Sequence, residues 1–273
     1  MGSLGISVFT GMGQSLAENA AYLRLAGEYG YNRLFTSLHI PEADSMTFLR
    51  EGKELLKLAA KLGFCVTADI SPRTWKLLDL QPEELKEYGI SLLRADWGFS
   101  PEQMYNLTGR SGLRLEINAS TADETLLDKL SAAGLDRGQI CAGHNYYPRP
   151  ETGLSYELFC QRSRMIAARG IPVTAFIPGK SCRRGPIFAG LPTLEAHRQM
   201  TVVEAARQLW NSGCVETILF GDPLATEKEL ATVAELPQKK PEILELKAKA
   251  VLTQEYGSAL LKLPLHTNRL DAS

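Results

Sequence analysis

Six short strings in this chain end an apolar run on side chains that can do chemistry. TSLHIPE brings His39 and Glu42, ADISP brings Asp69, RADWGF brings Asp96, and INAS brings Asn118. GHNYYPRPETG brings His144, Asn145, Tyr146, Tyr147, Arg149 and Glu151, and FGD brings Asp222. Carboxylates recurring in this way can serve as a general acid with a base or nucleophile, which suits cleavage of a glycosidic bond. A second polar stretch, PGKSCRRGPIFAGLPTLEAHR from Pro178 to Arg198, sets Lys180, Arg183 and Arg184 among glycine and proline turns. Together with Arg149 these cations could grip a phosphate or a carboxylate. The competing reading is a solvated charge cluster; it is weakened because the arginines sit among turn residues and not along a helix face.

No lysine falls within an apolar strand-like run, which argues against Schiff-base chemistry, where a desolvated amine is needed at the reaction centre. His39, Asp69, Asp96, His144 and Asp222 could ligate a metal, yet no HxH or HExxH spacing gathers them. No metal or other cofactor is therefore expected.

The elements that must position these groups recur regularly. Short β-branched or apolar runs return roughly every 20 to 35 residues, each followed by a helical pattern, as in βα units around a parallel sheet. They are Gly5 to Thr10, Arg33 to Leu38, Phe64 to Ile70, Ile90 to Asp96, Leu113 to Asn118, Gln139 to Asn145, Pro172 to Ile177 and Glu216 to Asp222. Helical spacing is read over Ser15 to Tyr29, Met46 to Leu62, Asp123 to Ala133, Tyr156 to Arg169, Val202 to Trp210 and Glu227 to Leu236, with glycine stops at Gly30, Gly63, Gly134 and Gly170. Eight units in about 235 residues fit a (β/α)8 TIM barrel. An open doubly wound sheet would more often show fewer strands and a phosphate-binding glycine loop after the first, for which Gly11 to Gly13 is too short. The barrel is assigned residues 1–236. Residues 237–273 read as a linker followed by the start of a shortened C-terminal domain.

A barrel puts its chemistry at the C-terminal strand ends, where all six strings lie. Period-two alternation puts Cys65, Thr67 and Asp69 on one face of their strand, so that Asp69 points into the lumen. The same logic groups Arg94 with Asp96, and Arg114 with Glu116 and Asn118. Buried charges must be paired, so Arg94 is expected to meet Glu116 or Asp69. The deeper Glu116 and Arg94 read as structural, and Asp69 and Asp96, at the tips, as functional.

Composition narrows the rest. With 44% hydrophobic and 22% charged residues the chain is ordinary globular material, and its net charge of -1 offers no field for nucleic acid or an anionic membrane. The five cysteines are scattered, with no zinc spacing; Cys65 and Cys141 fall in apolar runs and read as buried thiols. MGSLGISVFT lacks the pattern of a secretory signal and no run reaches the length of a membrane span, so a cytoplasmic location is expected.

The strings FTSLHIPE, ADIS, RADWGF, INAS, HNYYPRPETG, RGPIFAGLPTLEAHR and HTNRLDA resemble, in order and over essentially the whole chain, the 6-phospho-N-acetylmuramidase family. The resemblance implies a cytoplasmic glycosidase of peptidoglycan recycling, cleaving the β-1,4 bond between N-acetylmuramic acid 6-phosphate and N-acetylglucosamine. It also implies a TIM barrel followed by a smaller domain. On that substrate Asp69 and Asp96 would be the carboxylate pair, with Glu42 in reserve. Asn118, His144 and Asn145 would orient sugar hydroxyls or the acetamido group; Arg149, Arg183 and Arg184 would meet the 6-phosphate or the lactyl carboxylate. His39, Tyr147, Glu151 and Asp222 complete the expected substrate-binding set. The chain departs from the family pattern at Trp97, where tyrosine is usual, and at Glu116, where an apolar residue is usual. The expected partner is this phosphorylated disaccharide, with neither nucleic acid nor membrane, and with a homo-oligomer left open. The alternatives are a phosphosugar lyase or isomerase, which a chelator would silence if it used a metal, and a non-catalytic sugar-phosphate binder, which would bind without turnover.

Overall fold

The structure, a computed structural model, describes residues 2–38, 45–72 and 81–236. Eight parallel strands close into a barrel in sequence order: β1 (Ser3–Ser7), β2 (Arg33–Ser37), β3 (Cys65–Ile70), β4 (Ile90–Ala95), β5 (Arg114–Asn118), β6 (Ile140–Gly143), β7 (Val173–Ile177) and β8 (Thr217–Phe220). β8 returns to β1, Ser3 standing opposite Thr217 and Gly5 opposite Leu219. The helices around it are α1 (Leu16–Glu28), α2 (Ser45–Lys61), α3 (Pro101–Ser111), α4 (Glu124–Ala132), α5 (Tyr156–Ala168), α6 (Val202–Asn211) and α7 (Glu227–Ala234). This is the (β/α)8 TIM barrel that the spacing predicts.

The helices begin where a side chain can take up their free amides. Ser15, Ser100, Thr201 and Thr226 each accept from the third helical residue, whose own side chain returns to the cap. Asp123 and Ser155 cap α4 and α5. The expected stops Gly30, Gly63, Gly134 and Gly170 all have positive φ, between 73° and 96°.

The strands are shorter than their apolar runs. β6 starts at Ile140, not Gln139, because Gln139 closes a 3-10 turn over Arg137–Gln139 and caps Asp136. It ends at Gly143, because the Asn145 amide turns aside to the Ser120 hydroxyl. Similarly β1 covers Ser3–Ser7 rather than Gly5 to Thr10, and β8 stops at Phe220, before Asp222.

Alternation divides each strand between two cores. Leu4, Ile6, Val66, Ala68, Leu93, Ala175 and Ile218 face outward into the helix layer with Leu23, Phe159 and Leu209. Inside, Phe9, Phe35, Phe176, Leu191 and Leu219 form a separate apolar cluster, with Tyr146 packed on it edge-on to Phe35 and Phe176. The other side of the lumen is polar, and there the strand tips gather their charges.

Candidate active site

Arg94 organises the mouth. Only 3% exposed, it rises from β4 into the lumen. Its Nη2 donates to Asp96 Oδ1 at 3.1 Å and to Asn145 Oδ1, and its Nη1 meets Glu116 Oε1 at 3.4 Å. Nη1 also donates to the carbonyls of Gly143 and His144, and Nε lies 3.7 Å from Asp69 Oδ1. The pairing expected of Arg94 is thus met twice over. Gly143 makes the fit possible, since a Cβ there would lie 2.3 Å from Glu116 Oε1 and 3.0 Å from Arg94 Nη1.

One guanidinium serves three carboxylates, and for the two that are most buried, Asp69 and Glu116, desolvation favours the protonated form. Burial pushes the Asp69 carboxyl up to about 7; Arg94 opposes this, while Asp96 and Glu116 reinforce it. Burial raises Glu116 as well, against the pull of Arg94. Ser37 donates to Asp69 Oδ2 at 3.4 Å, and Asn118 Nδ2 donates to Asp96 Oδ1 at 2.7 Å. Asp69 and Asp96 therefore stand on neighbouring strand tips, tied to one cation, and Asp69 can give or take a proton near neutrality.

Across the lumen the loop after β7 brings the other cations. The Arg184 guanidinium lies 4.8 Å over the Phe9 ring and 5.2 Å over Tyr146, and donates to the Tyr146 hydroxyl at 2.9 Å. Arg183 makes no ion pair among the described residues, and its Nε is buried without a hydrogen-bond partner. This arginine pair keeps donors to spare for an anion.

Several expected residues take other places. His144 is fully buried and turned outward against α5; its ring nitrogens meet Ser120 Oγ at 3.1 Å and Ser163 Oγ at 2.9 Å, and the ring packs on Phe159. Burial, with Arg94 and Arg162 nearby, takes its pKa down to about 3, so it is a neutral structural group and not a sugar ligand. Asp222 is likewise buried and accepts from the amides of Gly179, Arg184 and Leu191 at 2.9 to 3.1 Å, so it folds the arginine loop instead of reaching substrate. Lys180 donates to the Arg198 carbonyl at 2.9 Å, which takes it from the anion grip. Arg149 and Glu151 are exposed, and their side chains form no hydrogen bond or ion pair among the described residues, while Tyr147 is half-buried against the outer core. His39 and Glu42 lie outside the described residues.

Two residues that sequence reasoning passed over hold the loop after β6. Glu195 accepts from the amides of Glu151 and Gly153, and the buried Arg198 donates to Glu195 and to the carbonyls of Tyr147, Arg149 and Gly190. The signal was their i, i+3 spacing in LEAHR. Among the described residues no three of His, Cys, Asp or Glu converge as a metal site, and no helix is long and apolar enough to cross a membrane.

Residues 4–235 match the family described as 6-phospho-N-acetylmuramidase, N-terminal. Two solved structures are similar over most of this chain. One is an uncharacterised Bacillus cereus protein at 28% identity, TM-score 0.76, covering 87% of this chain and 65% of that one. The other is a conserved Enterococcus faecalis protein of unknown function at 34% identity, TM-score 0.76, covering 85% and 64%. The chain therefore spans slightly less than two thirds of their length. Tryptophan synthase from Mycobacterium tuberculosis, at 14% identity and TM-score 0.56, covering 86% of this chain and 94% of that one, shares the barrel fold alone. No curated protein matches the chain.

Proposed function

The chain belongs to the 6-phospho-N-acetylmuramidase family, and on that premise we propose that it hydrolyses the β-1,4 bond between N-acetylmuramic acid 6-phosphate and N-acetylglucosamine, in the cytoplasmic recycling of peptidoglycan. The observation that carries this reading is the Asp69 and Asp96 pair on one buried guanidinium, with Asp69 protonatable near pH 7. A carboxyl so placed can protonate the leaving glycosidic oxygen, then take a proton from water as the bond to the anomeric carbon is replaced. Asp96, oriented by Arg94 and Asn118, works from the neighbouring tip, either at the anomeric carbon or on the 2-acetamido group of the same sugar. Arg183 and Arg184 take the 6-phosphate, and the Phe9 and Tyr146 rings brace Arg184. Asn145, which shares Arg94 with Asp96, positions a sugar hydroxyl.

The test is aglycone release from a chromogenic β-glycoside of N-acetylmuramic acid and from its 6-phosphate, without added metal. Release from the phosphorylated compound alone supports both the bond cleaved and the anion grip. Tight binding of the phosphorylated compound without release would sink the hydrolase reading in favour of a sugar-phosphate binder.

A further inference from the structure

The lumen has a second end. A (β/α)8 barrel ordinarily fills its interior with layers of bulky branched side chains. Here Thr67, Cys141, Thr174 and Thr217, on β3, β6, β7 and β8, leave a cavity of about 270 Å³ on the face opposite the strand tips. A polar cavity of this size holds water or a ligand. It lies at the small end of ligand sites, too small for a disaccharide but large enough for a compact anion.

Its border carries charge of both signs, two arginines and two glutamates. Arg33 enters from β2 and Arg114 from β5. Arg33 Nη1 touches Cys65 Sγ at 2.9 Å, and among the described residues Arg114 donates through Nε alone, to the Gly138 carbonyl at 3.1 Å. Neither meets a carboxylate within ion-pair distance among the described residues. Of the two glutamates, Glu116 gives Oε1 to Arg94 and Oε2 to the Cys141 thiol at 3.8 Å, and Glu216 is exposed. Two arginines without an ion-pair partner among the described residues thus border a space shared with Thr67, Thr174 and Thr217, and guanidinium and hydroxyl groups are the donors that a tetrahedral oxyanion accepts from.

We propose that the N-terminal end of the barrel is a second binding site, taking inorganic phosphate or a comparably small phosphomonoester between Arg33 and Arg114. It shares no residue with the mouth's arginine pair. It stands whether or not the mouth is a glycosidase.

Calorimetric titration with inorganic phosphate tests it, run on the full chain carrying Arg183→Gln and Arg184→Gln so that the mouth is silent. One phosphate site is expected to remain, and adding Arg33→Gln and Arg114→Gln weakens it at least about tenfold. Thr217→Leu, which fills the cavity with both arginines in place, is expected to do the same and decides the matter if the arginine variant does not fold. No heat of binding in the mouth-silent form up to on the order of 10 mM phosphate would overturn the proposal. So would unchanged affinity in the cavity variants. Failure of the glycosidase reading would instead show as absent turnover in the unaltered chain.

Discussion

Asp69 is the residue on which chemistry and stability make opposite demands. As the proton donor it must be protonated at the start of the cycle, so turnover should fall as pH rises through about 7. Asp69→Asn should cost about 10²- to 10⁴-fold in kcat; near-normal turnover in the aryl-glycoside assay would remove Asp69 from the mechanism. For stability the sign is the reverse of an ordinary salt-bridged aspartate. Its folded pKa lies above the unfolded value, so between pH 4 and 7 the folded state holds a proton that the unfolded chain has lost, and stability declines over that window. An uncharged amide at this position would carry no such penalty. The Asp69→Asn variant should therefore melt no lower than the parent at pH 8, with the difference shrinking towards pH 5, as scanning calorimetry at both values would show. The inward direction of Asp69 was legible in the parity of Cys65, Thr67 and Asp69. The same parity, applied to Cys141, Gly143 and Asn145, sends His144 outward into the helix layer, where the structure has it. Chemical type outweighed alternation in that reading. His39 and Glu42, outside the described residues, remain expectations.

At the scale of elements, ions and amides join strand tips to loops. Arg94 ties β3, β4 and β5 to the loop after β6, so its loss strands three carboxylates. Arg94→Met should destabilise the fold by about 3–5 kcal/mol at pH 7.5. It should cost clearly less at pH 5, where protonation relieves the repulsion; urea unfolding at the two values checks this, and an equal loss at both would mean that packing rather than charge is what Arg94 supplies. Asp222 does the corresponding work for the arginine loop through three amides. Asp222→Ala should cost about 2–4 kcal/mol and raise KM for the phosphorylated glycoside, with little change for a substrate lacking phosphate. Most elements were legible because their signals are local: apolar runs, capping side chains and glycine stops. Helix α3 was not among the stretches singled out, although Ser100, Pro101 and Gln103 carry a complete capping box; its apolar face is thin, and the cap was the stronger cue. The ion network was legible only as far as the partners of Arg94, because bonds such as Arg198 to the Tyr147 carbonyl join residues far apart in sequence.

Closure of the barrel makes the whole molecule answer for each seam. β1 is hydrogen-bonded on both sides, to β2 and to β8, so it cannot shift away from one neighbour without pressing on the other. Gly5 stands at the tightest part of this seam. A Cβ there would lie 2.2 Å from Leu219 Cδ2, 2.6 Å from Arg33 Cβ and 2.7 Å from the Arg33 carbonyl oxygen. The leucine tip can turn aside, but the Arg33 backbone is fixed by its pairing with Cys65. Gly5→Ala should therefore cost about 1–3 kcal/mol or more, as overpacking does. At about 2–4 °C per kcal/mol for a domain of this size, the melting temperature should drop by several degrees. Because a closed barrel has no free edge to peel away, the loss should come as one displaced transition, coincident by far-ultraviolet circular dichroism and by calorimetry. A new early transition confined to part of the signal would show instead that the β1 and β8 seam opens on its own, and that the eight strands unfold as an open sheet rather than as one closed unit.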